Sequence, residues 1–250
     1  MKADSLNPYL NEIQKNLPRI LSLYDRDSLS STSGLGDRYY WAWGLIDFPN
    51  GTFQALPKGL SILIKNGLLK DNLQKEKILD LIDKIFWGTK RITRKNGSLE
   101  EAFPFESSFC VTSLVASGLL YTIESLENEI GKIKIKEYAE IVEPLISFTK
   151  ENDESHGFIS NHLATAAMAL LQWVEVSKDT DAEKKSRDLI DRILSKQSKE
   201  GWYEEYGGAD PGYQTLSMDY LAEIYHKTND NDVKVSLGKS VDFLSHFAHP

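Results

Sequence analysis

Cysteine is almost absent from this sequence, since Cys110 is the only one among 250 residues. A lone cysteine cannot form an internal disulfide, and it rules out a zinc site built from several thiolates. The first residues lack the apolar run of a secretory signal, and no stretch of about 18 apolar residues exists that could span a membrane. We therefore expect a cytoplasmic protein without membrane insertion, an expectation that lapses if the sequence is a piece of a longer chain.

The motifs of several enzyme classes are also missing. There is no Gly-x-x-x-x-Gly-Lys-Ser/Thr phosphate loop, no Gly-x-Gly-x-x-Gly, no His-Glu-x-x-His and no Gly-x-Ser-x-Gly. Basic residues are outnumbered, with 29 Lys and Arg against 37 Asp and Glu and a net charge of -8. Such a chain lacks the basic surface that neutralises phosphates, so a general nucleic-acid partner is disfavoured. We predict no cofactor and no metal site.

Hydrophobic residues follow helical spacing in two alternating patterns. Narrow apolar stripes, typical of helices with one face in water, occur in residues 76–87, 135–148 and 183–197. Nearly all-round apolar segments, which need cover on every side, occupy residues 107–120, 163–174 and 213–225. Outer helices alternating with buried inner helices predict an all-α fold, an (α/α) toroid of about four to five helical hairpins that is open or incomplete. We expect one domain, residues 1–250, and little or no sheet.

A glycine precedes each proposed inner helix, at Gly51, Gly97, Gly157 and Gly201. The intervals of 46, 60 and 44 residues lie in the range of helical-hairpin arrays. The alternative is that helices often end in glycine whatever the fold. The polar residues that follow these glycines favour the repeat.

The loops that lead into the inner helices contain the unusual polar and aromatic residues. If the hairpins wind around one axis, these loops meet at one opening, where helix N-termini favour anionic ligands. The candidate site residues are Asp37, Arg38, Tyr40, Trp41, Arg91, Arg94, Glu106, Asn161, His162, Trp202, Tyr206, Asp210 and Tyr213.

Each candidate has a structural alternative. Asn161 and His162 place an amide and an imidazole at the start of an apolar helix, which suits binding of a sugar carboxylate and transfer of a proton. The structural alternative is an Asn or Ser N-cap followed by a histidine that is hydrogen-bonded within the protein. Asp210 either serves the site or caps a helix that begins at Pro211. Glu106 is either an acid or base, or a favourable charge in a first helical turn.

The aromatic and basic candidates are ambiguous in the same way. Rings near the proposed opening could stack on sugars, although aromatic residues also fill cores. These rings belong to Tyr40, Trp41, Trp202 and Tyr206. Arg91 and Arg94 belong to a basic run that is either a solvated turn or a landing surface for an anionic substrate.

Three short motifs resemble those of a known family. Asp37-Arg38-Tyr39-Tyr40-Trp41-Ala42-Trp43, Ser160-Asn161-His162 and Asp210-Pro211-Gly212-Tyr213 resemble bacterial α/α-toroid proteins related to heparinase II/III and alginate lyases. The resemblance implies β-elimination from a uronic-acid glycan. It assigns carboxylate neutralisation and proton abstraction to Asn161 and His162, and the base or acid role to Tyr213 or Tyr206. The arginine of such sites would be Arg38, Arg91 or Arg94.

The leading hypothesis is therefore a carbohydrate-active, polysaccharide lyase-like enzyme whose partner is an oligosaccharide or polysaccharide. One alternative is an inverting glycoside hydrolase with Glu106 and Asp210 as paired carboxylates. Another is a non-catalytic glycan-binding or assembly protein on a degenerate toroid, because a fold does not establish an activity.

Overall fold

The computed structural model describes residues 8–37, 50–69, 73–101 and 106–248. The helices in these ranges are α1 (Pro8–Leu21), a 3₁₀ helix (Gly51–Ala55), α2 (Leu56–Lys65), α3 (Lys75–Ile92), α4 (Phe109–Ser125), α5 (Glu127–Glu151), α6 (Ser160–Ser177), α7 (Thr180–Lys196), α8 (Pro211–Thr228) and α9 (Asn231–Ser245). Between them the same ranges contain isolated β-bridges and no β-strand. None of these helices is long and apolar enough to cross a membrane.

The helices are arranged in two layers. The inner helices α2, α4, α6 and α8 contact one another in chain order, and each packs against the outer helix that follows it. Leu119 in α4 and Leu170 in α6 are completely buried, and burial of such a side chain stabilises the fold by about 1.5–3 kcal/mol. The outer helices bury one stripe only, as Ile78, Ile82 and Ile85 do in α3. The predicted all-α hairpin architecture is confirmed.

The last inner helix, α8, departs from the predicted burial. Tyr220 and Ile224 face the core, but Tyr213 and Leu216 are exposed. Among the described helices, α6 and α9 make most of the contacts with α8, and they leave this part of its surface uncovered. The burial predicted for residues 107–120 and 163–174 is therefore found in α4 and α6, whereas the burial predicted for residues 213–225 is found on only part of α8.

The repeat has a regular length that the glycines only partly show. Helices α4, α6 and α8 begin at residues 109, 160 and 211, a constant interval of 51 residues. Gly51, Gly97 and Gly201 each lie so close to a backbone carbonyl oxygen that an added Cβ atom would come within 2.2 Å of it. Close backbone approach between successive elements, rather than the ending of a helix, therefore explains these three glycines.

An ion pair joins α2 and α8, the first and the last of the inner helices that the structure describes. The Nζ atom of Lys58 in α2 lies 2.6 Å from Oε1 of Glu223 in α8, although 165 positions separate the two residues. The ammonium group also lies over the rings of Tyr121 and Tyr220, 5.4 and 5.0 Å from their centroids. These contacts hold α2 beside α8, as winding of the described inner helices around one axis requires.

Candidate functional site

The loops before the inner helices α6 and α8 meet beside the start of α4. Ser160, the first residue of α6, donates from its backbone N–H and from its hydroxyl to the carbonyl oxygen of Glu204, at 3.1 and 2.8 Å. In α4, burial and then the charges of Glu154 and Glu205 raise the pKa of the Cys110 thiol to about 12. We call this region the mouth, meaning residues 153–159 and 203–210 with the first turns of α4, α6 and α8.

The central pair of the mouth is His162 and Glu154. Nδ1 of His162 lies 2.5 Å from Oε2 of Glu154, whose side chain is only 1% exposed, while that of His162 is 17% exposed. Oε1 of Glu154 accepts from the backbone N–H of His156 at 2.9 Å and lies 2.8 Å from its Nδ1.

These contacts decide the charge of Glu154. Burial raises its pKa, but the hydrogen bonds from His156 and His162 outweigh burial, so that the pKa lies below its usual value of 4.5. An ionised carboxylate that accepts Nδ1–H fixes the ring and leaves Nε2 as the nitrogen that exchanges a proton. The pair is therefore suited to acid–base chemistry at His162.

Asn161 is buried next to His162 and hydrogen-bonds to another residue of the protein. Its Nδ2 donates to Oε2 of Glu205 at 2.7 Å, and its backbone N–H donates to Oε1 at 2.9 Å. The Ser217 hydroxyl adds a bond of 3.1 Å to Oε1. Because Ile159 provides no side-chain cap, the Glu205 carboxylate caps α6 from the neighbouring loop. The alternative of an Asn or Ser N-cap is not what the structure shows.

The buried position of Glu205 disfavours the ionised form of its carboxyl group. Burial raises its pKa more than the hydrogen bonds from Asn161 and Ser217 lower it, and Asp210 adds a further repulsion. Glu154 and Glu205 thus have pKa shifts of opposite direction within one mouth. Such a separation is characteristic of functional sites, although structural networks also produce it.

Two tyrosine rings lie at the surface of the mouth. Tyr206 and Tyr213 are 60% and 44% exposed, and their centroids are 6.1 Å apart. Tyr206 has a φ of 53° and Gly207 one of 86°, in a tight turn closed by reciprocal backbone hydrogen bonds between Glu205 and Gly208. A positive φ is unfavourable for tyrosine, and packing does not account for it because the ring is exposed. The exposed pair suits stacking against sugar rings.

Asp210 has the local structure of a helix cap. Its Oδ1 accepts from the backbone N–H of Tyr213 at 2.9 Å, and Pro211 is the first residue of α8. The structural alternative is thus confirmed, but its partly exposed carboxyl group also lies near enough to the mouth to affect Glu205.

Glu106 and Arg94 lie on the loop side of α4. Ser108 caps this helix by accepting from the backbone N–H of Val111 at 3.1 Å, so the exposed Glu106 precedes the helix rather than occupying its first turn. Nη1 of Arg94 donates to the Ser107 hydroxyl at 3.2 Å, which places its guanidinium beside the same loop.

The other candidates have different surroundings. Arg91 donates from Nη2 to the Ser33 carbonyl and lies near Asp25, in the loop after α1 rather than at the mouth. Nε1 of Trp202 donates to Oε2 of Glu200 at 3.1 Å. The backbone N–H of Asp37 donates to the Leu23 carbonyl at 3.1 Å. Arg38, Tyr40 and Trp41 lie outside the described residues. Within the described part of the chain, no three His, Cys, Asp or Glu side chains are grouped to hold a metal ion.

Sequence reasoning missed the two glutamates of the mouth. Glu154 and Glu205 lie 51 residues apart, and so do His162 and Tyr213. This is the interval between successive inner helices, so the equivalent positions could have been found by comparing the sequence with itself at that spacing.

Comparisons with known proteins bear on the fold. No family model matches the chain, and no curated protein matches it. The α-1,6-mannanase GH76A of Salegentibacter sp. HEL1_6, solved as an inactive variant with two aspartates replaced by alanine and in complex with α-1,6-mannotetrose, is similar in structure. The identity is 14%, the match covers 96% of this chain and 70% of that chain, and the TM-score is 0.61. A variant of the same enzyme with asparagine at both positions, bound to α-1,6-mannotriose, matches at 14% identity over 96% and 71% with a TM-score of 0.60.

This chain has the (α/α)-toroid fold. The fold prediction is thereby confirmed. The two structures give no support to a relation with heparinase or alginate lyase.

Proposed function

We propose that this chain is a carbohydrate-active enzyme that binds an oligosaccharide at the mouth and hydrolyses a glycosidic bond there. The observation that carries the proposal is the His162–Glu154 pair, a partly exposed imidazole held at 2.5 Å by a buried carboxylate. The exposed rings of Tyr206 and Tyr213 supply a surface for sugars beside it. The mannanase structures add support, since proteins of this fold are found with bound α-1,6-linked mannose oligosaccharides.

The reaction is a single displacement by water. Nε2 of His162 takes a proton from the water while its oxygen forms a bond to the anomeric carbon. Glu154 stabilises the resulting imidazolium by its negative charge. The bond between the anomeric carbon and the glycosidic oxygen breaks, and that oxygen takes up a proton from a carboxyl group, for which Asp210 is the candidate and Glu106 the alternative.

This mechanism is drawn from the residues of this chain. The aspartates replaced in the inactive mannanase are consecutive, and the present sequence contains no two consecutive aspartates. The acid and the base proposed for this chain come instead from separate loops, and the convergence of residues 153–159 and 203–210 supports that arrangement.

β-Elimination from a uronic-acid glycan is the second candidate, and a particular arrangement favours it. Tyr206 lies near Glu154, the partner of His162, and burial together with nearby acidic groups raises the pKa of the Tyr206 hydroxyl. A protonated tyrosine hydroxyl in the same mouth as a histidine base fits the transfer of a proton to a leaving oxygen.

The test is turnover of α-1,6-mannotetraose, followed by a panel of neutral and uronic-acid oligosaccharides. Hydrolysis releases new reducing ends, whereas elimination produces an unsaturated sugar that absorbs ultraviolet light. We expect His162→Ala to lower kcat by about 10²–10⁴, the usual contribution of a general base. The matched control His226→Ala, at an exposed position near the end of α8, should keep wild-type turnover.

Each outcome is informative. Equal turnover in His162→Ala and wild type would remove His162 from the mechanism. An ultraviolet-absorbing product would establish elimination instead of hydrolysis. Binding without turnover of any glycan, unaffected by His162→Ala, would leave a glycan-binding protein.

A further inference from the structure

We propose that Glu154 couples two histidines, so that the charge of the exposed His156 controls how strongly His162 holds a proton at the mouth. The importance for catalysis rests on the proposed function, but the coupling itself is a property of the folded chain. His156 thereby becomes a positioning and tuning residue, not a catalytic one.

The geometry forms a continuous chain of contacts from solvent to the mouth. The side chain of His156 is 66% exposed, and its Nδ1 lies 2.8 Å from Oε1 of Glu154. Oε2 of the same carboxylate lies 2.5 Å from Nδ1 of His162. Because the Glu154 side chain is 1% exposed, water contributes little to stabilising its charge, and its partners are the backbone N–H of His156 and the two imidazoles.

The single negative charge of the buried Glu154 carboxylate attracts a proton on either imidazole. When His156 is protonated, its positive charge offsets that of Glu154 and makes a second proton on His162 less favourable. When His156 is neutral, the full carboxylate charge acts on His162. The exposed imidazole, which exchanges protons freely with solvent, therefore sets the state of the partly buried one.

Other ionisable groups face Glu154 from α4 and from the loop before α8. Burial raises the pKa of Cys110 to about 12 and also raises that of Tyr206, so neither group changes charge where histidine titrates. The preceding residue, Asp153, is paired with Arg192 and Lys185 of α7.

Two further carboxyl groups lie on the loop before α8. Glu205 bonds to Asn161, the neighbour of His162, and Asp210 lies near Glu205. The variants Glu205→Gln and Asp210→Asn measure how much these groups contribute to the titration of His162.

The experiment is an NMR titration of the histidine imidazoles in the whole chain, which needs no substrate. In His156→Gln, an amide retains a donor for Glu154 but carries no charge, so the titration midpoint of His162 should rise by about 0.5–1 pH unit. The control His246→Gln, at an exposed histidine whose Nδ1 contacts only carbonyl oxygens of its own helix, should leave that midpoint unchanged.

A midpoint of His162 that stays within about 0.1 unit of wild type in His156→Gln would overturn the coupling. Glu154→Gln provides the second test, because removing the shared carboxylate should lower the midpoint of His162 and abolish its response to His156→Gln. If the chain turns over a glycan, the acid limb of its pH–rate profile should move with the midpoint. A shifted midpoint in a protein without turnover would uphold the coupling while rejecting the proposed function.

Discussion

Replacement of Glu205 tests whether the buried carboxylate matters as an acceptor or as a charge. Glu205→Ala leaves the backbone N–H and Nδ2 of Asn161 and the hydroxyl of Ser217 without their acceptor. A buried donor left without a partner costs about 1–3 kcal/mol, and such costs are not additive within one network. We expect Glu205→Ala to lower the free energy of unfolding by about 3–5 kcal/mol, because three buried donors lose one shared acceptor.

Glu205→Gln should be far milder. The amide oxygen can still accept from the backbone of Asn161 and from Ser217, and a turn of the Asn161 amide brings its oxygen to the new Nε2. The substitution also removes the charge whose burial raises the pKa of Glu205. We expect a free energy of unfolding within about 1 kcal/mol of wild type at neutral pH.

The pH dependence follows from the direction of that shift. A carboxyl group with a raised pKa holds its proton more firmly in the folded chain than in the unfolded one, so its ionisation destabilises the fold. This cost is absent well below the ordinary value of 4.5, and it grows as pH rises from there through the folded pKa. Relative to Glu205→Gln, wild type should therefore lose stability over this window.

Urea denaturation followed by circular dichroism at about pH 4 and about pH 7 measures both effects. The reasoning is refuted if Glu205→Gln destabilises the protein as much as Glu205→Ala, because the charge would then matter more than the acceptor. A difference between wild type and Glu205→Gln that does not change with pH would equally contradict it.

Three further predictions concern single residues. Tyr206→Asn should raise the free energy of unfolding by about 1 kcal/mol, since asparagine tolerates the positive φ at this position. Calorimetry should show that the same variant binds an oligosaccharide more weakly, and stronger binding would exclude the Tyr206 ring as a surface for sugars. Gly97→Ala should lower the free energy of unfolding by at least about 2 kcal/mol, because Gly97 has a φ of 86° and lies against the Pro144 carbonyl. The control Gly59→Ala, in the open part of α2, should raise it by about 0.5–1 kcal/mol. Equal effects in thermal or urea unfolding would contradict the close approach at Gly97. Because the pKa of Glu154 is lowered, its ionised carboxylate stabilises the fold above about pH 4.5, and this stabilisation is lost as the pH falls through the folded pKa. Urea unfolding of Glu154→Gln should not show this loss of stability at acid pH.

The periodicity of the sequence predicted the layers because a helix without a polar face is stable only when covered. The same argument failed for α8, where Tyr213 and Leu216 count as apolar in the pattern but lie exposed at the edge of the inner layer. The pattern records the chemical character of each residue, whereas the exposure of Tyr213 and Leu216 among the described residues depends on how the helices are assembled.

The site was predictable where its chemistry is local. Asp210 followed by Pro211 indicated a helix cap, since both ends of that interaction lie within four residues. The role of Glu154 could not be inferred, because a glutamate in a polar loop is normally exposed, and its burial depends on packing against α6. Arg91 was placed near the opening for its charge, yet its long side chain reaches the Ser33 carbonyl instead.

The Lys58–Glu223 ion pair has a consequence for the shape of the opening. Stacked hairpins contact only their neighbours, so small differences in the angle between successive units accumulate and leave the curvature of an array loosely determined. A contact between residues 165 positions apart instead ties α2 directly to α8, which are not neighbours in the order of the inner helices. Because the paired side chains are only 19% and 26% exposed, dissolved salt screens their attraction less than it screens an exposed surface pair. The distance between α2 and α8 should therefore change little with ionic strength.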